Sequence, residues 1–155
     1  PEIQEVNPQV VIKAKLLEAD SKGLSGMFFV EDTSLIIDAY GGGLPGPLIK
    51  WFLSEYDSLE KITSFVSNIG NNKAVAICTI GFSINEKFYY FEGAIEGIIS
   101  IKPMGNNGFG WDNIFIPNGS DKTFGQMDLE EKNIYSMRKI ALEKMQEFIL
   151  NKGWE

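Results

Sequence analysis

"KAVAICTIGFSINEKFYYFEGAIEGIIS", residues 73–100, sets the fold. It holds two long runs rich in β-branched and aromatic residues, separated at Asn85-Glu86. Runs of this kind about a short polar turn predict an antiparallel hairpin. Gly93 and Gly97 fall within the second run and are expected to mark bulges or bends in a long twisted strand. The segments on either side read as the helices and further strands of the same sheet.

Upstream, "NPQVVIKAKLLEAD" (7–20) predicts a helix. Asn7 can cap it, Pro8 suits its first turn, and Ile12, Leu16 and Ala19 form an apolar stripe. "GMFFVED" (26–32) predicts a buried strand ending in two acids, and "SLIID" (34–38) a second short strand or extended segment. "GGGLPGP" (41–47) is a turn, with Pro47 opening the helix "PLIKWFLSEY". "SLEKITSFVSNI" (58–69) predicts another helix, capped by Asp57 or Ser58.

Downstream, "NGFGWDNIFIPNGSDKTF" (107–124) combines glycines with Phe109, Trp111, Phe115 and Phe124. Glycine makes a loop pliable, whereas large aromatics supply contact area. "DLEEKNIYSMRKIALEKMQEFILNK" (128–152) predicts one long helix. Asp128 and Glu131 make a capping-box-like start, and Ile134, Met137, Ala141, Met145, Phe148 and Ile149 line one face. With no repeat, linker or low-complexity segment, residues 1–155 read as a single α/β domain around one long mixed sheet flanked by helices.

Composition excludes several chemistries. Hydrophobic residues make up 44% and charged residues 23%, as in an ordinary soluble domain. No apolar run is long enough to cross a membrane. The net charge of −7 argues against a general nucleic-acid grip, which needs a basic face. The chain has no histidine, which rules out Ser-His-Asp and Cys-His catalysis and His-bound zinc. The single Cys78, in "AVAICTI", reads as a buried inert thiol, and the whole suits a reducing cytoplasm. Carboxylates, lysines, one arginine or a hard metal remain as agents of chemistry.

Candidate site residues each have an ordinary reading beside a functional one. Glu31 and Asp32 fall where ligands collect in open α/β sheets, yet acids commonly end strands. Glu2 near the terminus and Lys15 on the first helix carry no signal alone. Lys132 and Ser136, four apart, share a helix face with Lys139, and Arg138 lies to one side. Arg138 is the sole arginine among 14 basic residues, so a planar fork for a carbonyl or phosphate is one reading and an exposed surface charge the other. The loop aromatics either seal the core edge or hold a flat ligand.

Taken in order, "PEIQ", "IKAK", "VEDTSLIIDA", "GGLPGPLIKWFL", "AICT", "FEG", "GFGWDNIF", "PNGSDKTFGQM" and "EEKNIYSMR" resemble the inosine/xanthosine triphosphate pyrophosphatase family over almost the whole chain. The resemblance implies an elongated α/β fold with a deep nucleotide cleft, a homodimer and a Mg²⁺ requirement. It implies hydrolysis of non-standard purine nucleoside triphosphates (ITP, XTP, dITP) to monophosphate and pyrophosphate. By position, Glu2 and Asp32 correspond to the acids that hold the metal, and Asp32 also to the group that orients or deprotonates the attacking water. Lys15 corresponds to a triphosphate contact, and Phe109 to the ring that stacks on the base. Gly110, Trp111 and Asp112 shape the base pocket, and Lys132, Ser136 and Arg138 complete base recognition. A 6-oxo purine offers an acceptor to these cations, whereas adenine's amino group offers a donor.

The chain also departs from the family. No counterpart is found for the family's opening strand and lysine-bearing glycine–asparagine loop, so an N-terminally incomplete domain of weak activity, with an open sheet edge, is expected. Met137 stands where the family usually has histidine, Asn113 where proline is common, and one glycine is extra in "GGGLPG". The competing readings are a catalytically impaired homologue that binds purine nucleotides and dimerises, and a stable fragment without a ligand.

Overall fold

The computed structural model describes residues 3–155. Its elements in chain order are α1 (Pro8–Ser21), β1 (Phe28–Ile37), β2 (Pro45–Gly46), α2 (Ile49–Phe52), α3 (Ser58–Ile69), β3 (Lys73–Ile84), β4 (Lys87–Ile99), β5 (Phe115–Pro117), α4 (Leu129–Ile134) and α5 (Met137–Leu150). The hairpin is present as expected, with Ile84 opposite Lys87. Asn85 and Glu86 both take positive φ, 51° and 61°, the backbone hand that matches the twist of the flanking strands.

The strand order is β2-β1-β3-β4-β5. Every pairing among the described residues is antiparallel, which corrects the expected mixed sheet. Only β3 and β4 are joined by a tight hairpin; residues 47–72, which carry α2 and α3, connect β2 to β3, and no helical crossover joins two parallel neighbours. β1 is one continuous ten-residue strand, not two short ones. β1 meets β2 only at Leu35 and Ile36, so along that edge residues 28–34 have no strand partner among the described residues.

Helices cover both faces. The Asn7 side chain accepts from Gln9 N at 3.0 Å, and Pro8 stands in the first turn, as read from the sequence. Ile12 and Leu16 are buried against β3, where a Cβ on Gly81 would collide with both. On the opposite face α5 lies over β3 and β4. Cys78, Ile80, Phe82, Ala141 and Met145 form one core cluster there, and Leu35, Ile37, Ala76, Ile99, Phe115 and Phe124 belong to a second.

The β3–β4 register runs unbroken through Gly93 and Gly97, so these glycines make no bulge. They make room instead. A Cβ on Gly93 would strike the backbone of α5 at Met137 and Ala141, and one on Gly97 would strike Ile116 and Phe115.

Three helical expectations are corrected. The segment after Pro47 is a single turn, Ile49–Phe52. Neither Asp57 nor Ser58 caps α3 through its side chain; Asp57 enters it in the left-handed region. The expected last helix is two helices. It breaks at Tyr135 and Ser136, where Ser136 is extended and its hydroxyl oxygen accepts from Lys139 N at 3.1 Å. A serine that bonds the backbone ahead of it starts a helix better than it continues one. Ile134, expected on the core face, is therefore thrown outward and is 74% exposed. Asp128 caps α4 as expected, accepting from Glu131 N at 2.8 Å.

Candidate active site

Glu31 and Asp32 lie in the middle of β1, not beyond its end. Neighbouring strand residues point to opposite faces. Asp32 therefore faces α1 and Glu31 faces α5, and two groups of side chains assemble on the two sides.

On the α1 side, Lys15 Nζ donates to Asp32 Oδ1 at 2.6 Å and to the Glu31 carbonyl at 3.3 Å. One lysine thus ties α1 to the centre of β1. Thr79 stands directly across from Asp32 on β3, and Ser34 follows two residues along the same face of β1. Both hydroxyls are buried, and neither Ser34 Oγ nor Thr79 Oγ1 has a hydrogen-bond partner among the described residues. Buried hydroxyls without partners are costly, so this face holds oxygen donors ready for a ligand or ion. Glu2, expected as a metal ligand, lies outside the described residues. No group of three or more His, Cys, Asp or Glu side chains able to hold a metal occurs among the described residues.

On the α5 side, a pocket of about 400 Å³ is lined by Glu31, Phe109, Gly110, Trp111, Asp112, Lys132, Ser136 and Arg138. Seven sequence candidates, spread over 30 residues of chain, are brought together there, joined by Glu31. The two loop aromatics that flank Gly110 take different parts. Phe109 is 87% exposed and stands at the mouth, whereas Trp111 is 7% exposed. The Trp111 ring meets Phe115 edge-on at 5.6 Å, so Trp111 is both core and pocket floor. Gly110 between them has φ +62°, which lets the loop reverse.

Asp112 organises the pocket. It is buried, and its Oδ2 accepts from Lys132 Nζ at 2.7 Å and from Phe109 N at 3.3 Å. A Cβ on Gly108 would occupy the space of this carboxylate. Lys132 lies 5.3 Å from the centre of the Phe124 ring, a cation–π contact. Lys132 and Ser136 do not share one helix face, which corrects the expectation from their spacing; they line one pocket from either side of the break between α4 and α5. Arg138, in the first turn of α5, donates through Nε to Glu31 Oε2 at 2.8 Å.

Glu31, Thr33, Phe124, Leu129, Asn133 and Met137 also line the pocket and were not assigned to it from sequence. The alternation of β1 holds the signal for Glu31, but only if the strand is carried on past the two acids to Ile37.

No helix among the described residues is long and apolar enough to cross a membrane. The family model of the Ham1 family matches residues 1–148. The chain is 37% identical over 151 residues to the inosine triphosphate pyrophosphatase of Schizosaccharomyces pombe, covering 96% of this chain and 78% of that one. It is 36% identical over 152 residues to the protein of the same name from Candida albicans, covering 97% and 73%. Among solved structures it resembles the Ham1 protein of Staphylococcus aureus, with a TM-score of 0.84, 26% identity, and coverage of 98% of this chain and 80% of that one. A nucleoside-triphosphatase described as a dITP/XTP pyrophosphatase from Mycobacterium abscessus superposes with a TM-score of 0.75, 26% identity, and coverage of 94% and 82%. Sequence and fold agree, and the chain belongs to the Ham1 family.

Proposed function

We propose that this protein hydrolyses non-standard purine nucleoside triphosphates such as ITP, XTP and dITP, giving the monophosphate and pyrophosphate. The supporting observation is the split of Glu31 and Asp32 across β1. It places an aromatic and cationic pocket on one side and a lysine–carboxylate pair beside buried hydroxyls on the other. A nucleotide lying over the open edge of β1 presents its base to the first and its phosphates to the second.

The roles follow from the chemistry of each group. Phe109 stacks on the base and Trp111 forms the floor below it. Lys132, held by Asp112, and Arg138 donate to the 6-oxo group, which adenine lacks. Ser136 closes the same end. Lys15 exchanges its contact with Asp32 for a phosphate oxygen as substrate enters. Asp32, so released, orients the water and accepts its proton as the α–β phosphoanhydride is cleaved.

The donor set on the α1 side is composed of hard oxygens, which suits Mg²⁺. That ion takes one or two carboxylates and leaves its other positions to water and phosphate. Asp32 and Glu2 would hold it. When bound, Mg²⁺ neutralises triphosphate charge and makes the phosphorus more open to attack. A cytoplasmic homodimer completes the proposal.

Purified protein incubated with ITP and Mg²⁺ should release IMP and pyrophosphate. Release of orthophosphate, or equal turnover of ATP, would overturn the reading. Saturable nucleotide binding with no turnover would favour an impaired homologue.

A further inference from the structure

Glu31, bonded to Arg138, is the part of the pocket that the roles above leave unexplained. The two residues are 107 apart in sequence and meet through one bond, Nε to Oε2 at 2.8 Å. Their side chains are 59% (Arg138) and 35% (Glu31) exposed. Exposed pairs of this kind contribute little to stability. Arg138 also sits in the first turn of α5, directly after the Ser136 cap, where the helix macrodipole disfavours a cation. Neither helix stability nor pairing energy accounts for an arginine at that place.

We infer that Glu31 is a positioning residue for base recognition: it fixes the Arg138 guanidinium by Nε and so aims the two terminal nitrogens at the pocket. A guanidinium has five N–H groups in a rigid fork, and Nε supplies one of them. Engagement at Nε alone leaves four, all in one plane. The 6-oxo oxygen and N7 on the imidazole ring of a 6-oxo purine are two acceptors that such a fork meets together. Held at Nε, the fork has lost its rotational freedom before the base arrives. The pocket then holds two matched acid–cation pairs, Asp112 with Lys132 and Glu31 with Arg138. The alternation of β1 is what makes this possible, because it turns Glu31 toward α5 while Asp32 serves the other side.

The inference rests on the base-pocket reading, and its test separates the two. IMP binding is measured by calorimetry, and kcat and KM for ITP and ATP by pyrophosphate release, in the wild type, Glu31→Ala, Glu31→Gln, Arg138→Ala and the Glu31→Ala/Arg138→Ala double variant. Loss of Glu31 should weaken IMP binding and lower the preference for ITP over ATP by roughly tenfold, with KM moved more than kcat. The same change should have almost no further effect once Arg138 is alanine. Glu31→Gln, which keeps an acceptor oxygen, should retain part of the preference. An unchanged preference in Glu31→Ala, or an equal loss with and without Arg138, overturns the positioning role while the pocket reading stands. No IMP binding by the wild type overturns both.

Discussion

Lys15 Nζ lies 2.6 Å from Asp32 Oδ1, so the first helix and the middle of an inner strand meet at a charged contact beside two buried hydroxyls. The lysine is already ordered there, so passing to a phosphate oxygen costs it little further side-chain entropy. Asp32→Asn keeps the shape but removes the proton acceptor. It should lower kcat for ITP by ~10²-fold or more. Lys15→Met should instead act mainly through KM. Steady-state kinetics on the two variants separate these outcomes, and an Asp32→Asn protein of near-normal kcat removes the base role.

Phe109 and Trp111 are separated by one glycine, yet one is exposed and the other buried. Stacking on a base contributes about 1–3 kcal/mol per ring. Phe109→Ala should therefore raise KM for ITP while changing stability by less than about 0.5 kcal/mol. Trp111→Ala should cost about 3–5 kcal/mol of stability, because it empties core volume. Urea unfolding alongside kinetics checks both. A Phe109→Ala protein with unaltered KM would remove the stacking role.

The hairpin of β3 and β4 was legible because both runs are long, rich in β-branched and aromatic residues, and broken only at Asn85-Glu86. The caps at Asn7 and Asp128 were legible because a short polar side chain before an apolar stripe has one favourable use. The break between α4 and α5 was not, since Ser136 sits inside a continuous helical pattern and only its bond to Lys139 N shows the restart. The place of Glu31 was hidden by ending the strand at the two acids, whereas β1 runs on to Ile37 and puts them in its middle. Its partner, Arg138, is 107 residues away, a distance that no local pattern reports. Most pocket residues could be named from the resemblance, but the acid that links strand to helix could not.

Gly93 is where α5 touches the sheet. A Cβ there would meet the Met137 carbonyl oxygen and the Ala141 nitrogen, which are backbone atoms and cannot swing aside. Gly93→Ala should cost about 1–3 kcal/mol and lower Tm by roughly 2–4 °C for each of them. It should also displace Ser136 and Arg138 and raise KM for ITP. Gly43→Ala, with nothing within 4 Å of its Cβ, should do neither. Equal Tm values for the two variants would show that the helix shifts without cost.

Cys78 lies under the Glu31–Arg138 pair, opposite Thr33 on the α5 side of the sheet. Burial pushes its thiol from 9.0 up to about 12; the Glu31 and Asp32 charges add to this and Arg138 opposes it. In the native protein the thiol stays protonated at pH 8 and should not react with a thiol reagent until the chain unfolds. Above about pH 9 the unfolded chain releases this proton while the native state keeps it. The unfolded state then binds fewer protons, so stability falls as pH rises, by up to about 1.4 kcal/mol per pH unit between the two pKa values. Cys78→Ala lacks this term. Urea unfolding at pH 8 and pH 10 should show the wild type losing about 1 kcal/mol more than the variant over that interval. Equal losses would mean that the thiol ionises alike in both states, and that the core around β3 is open to water.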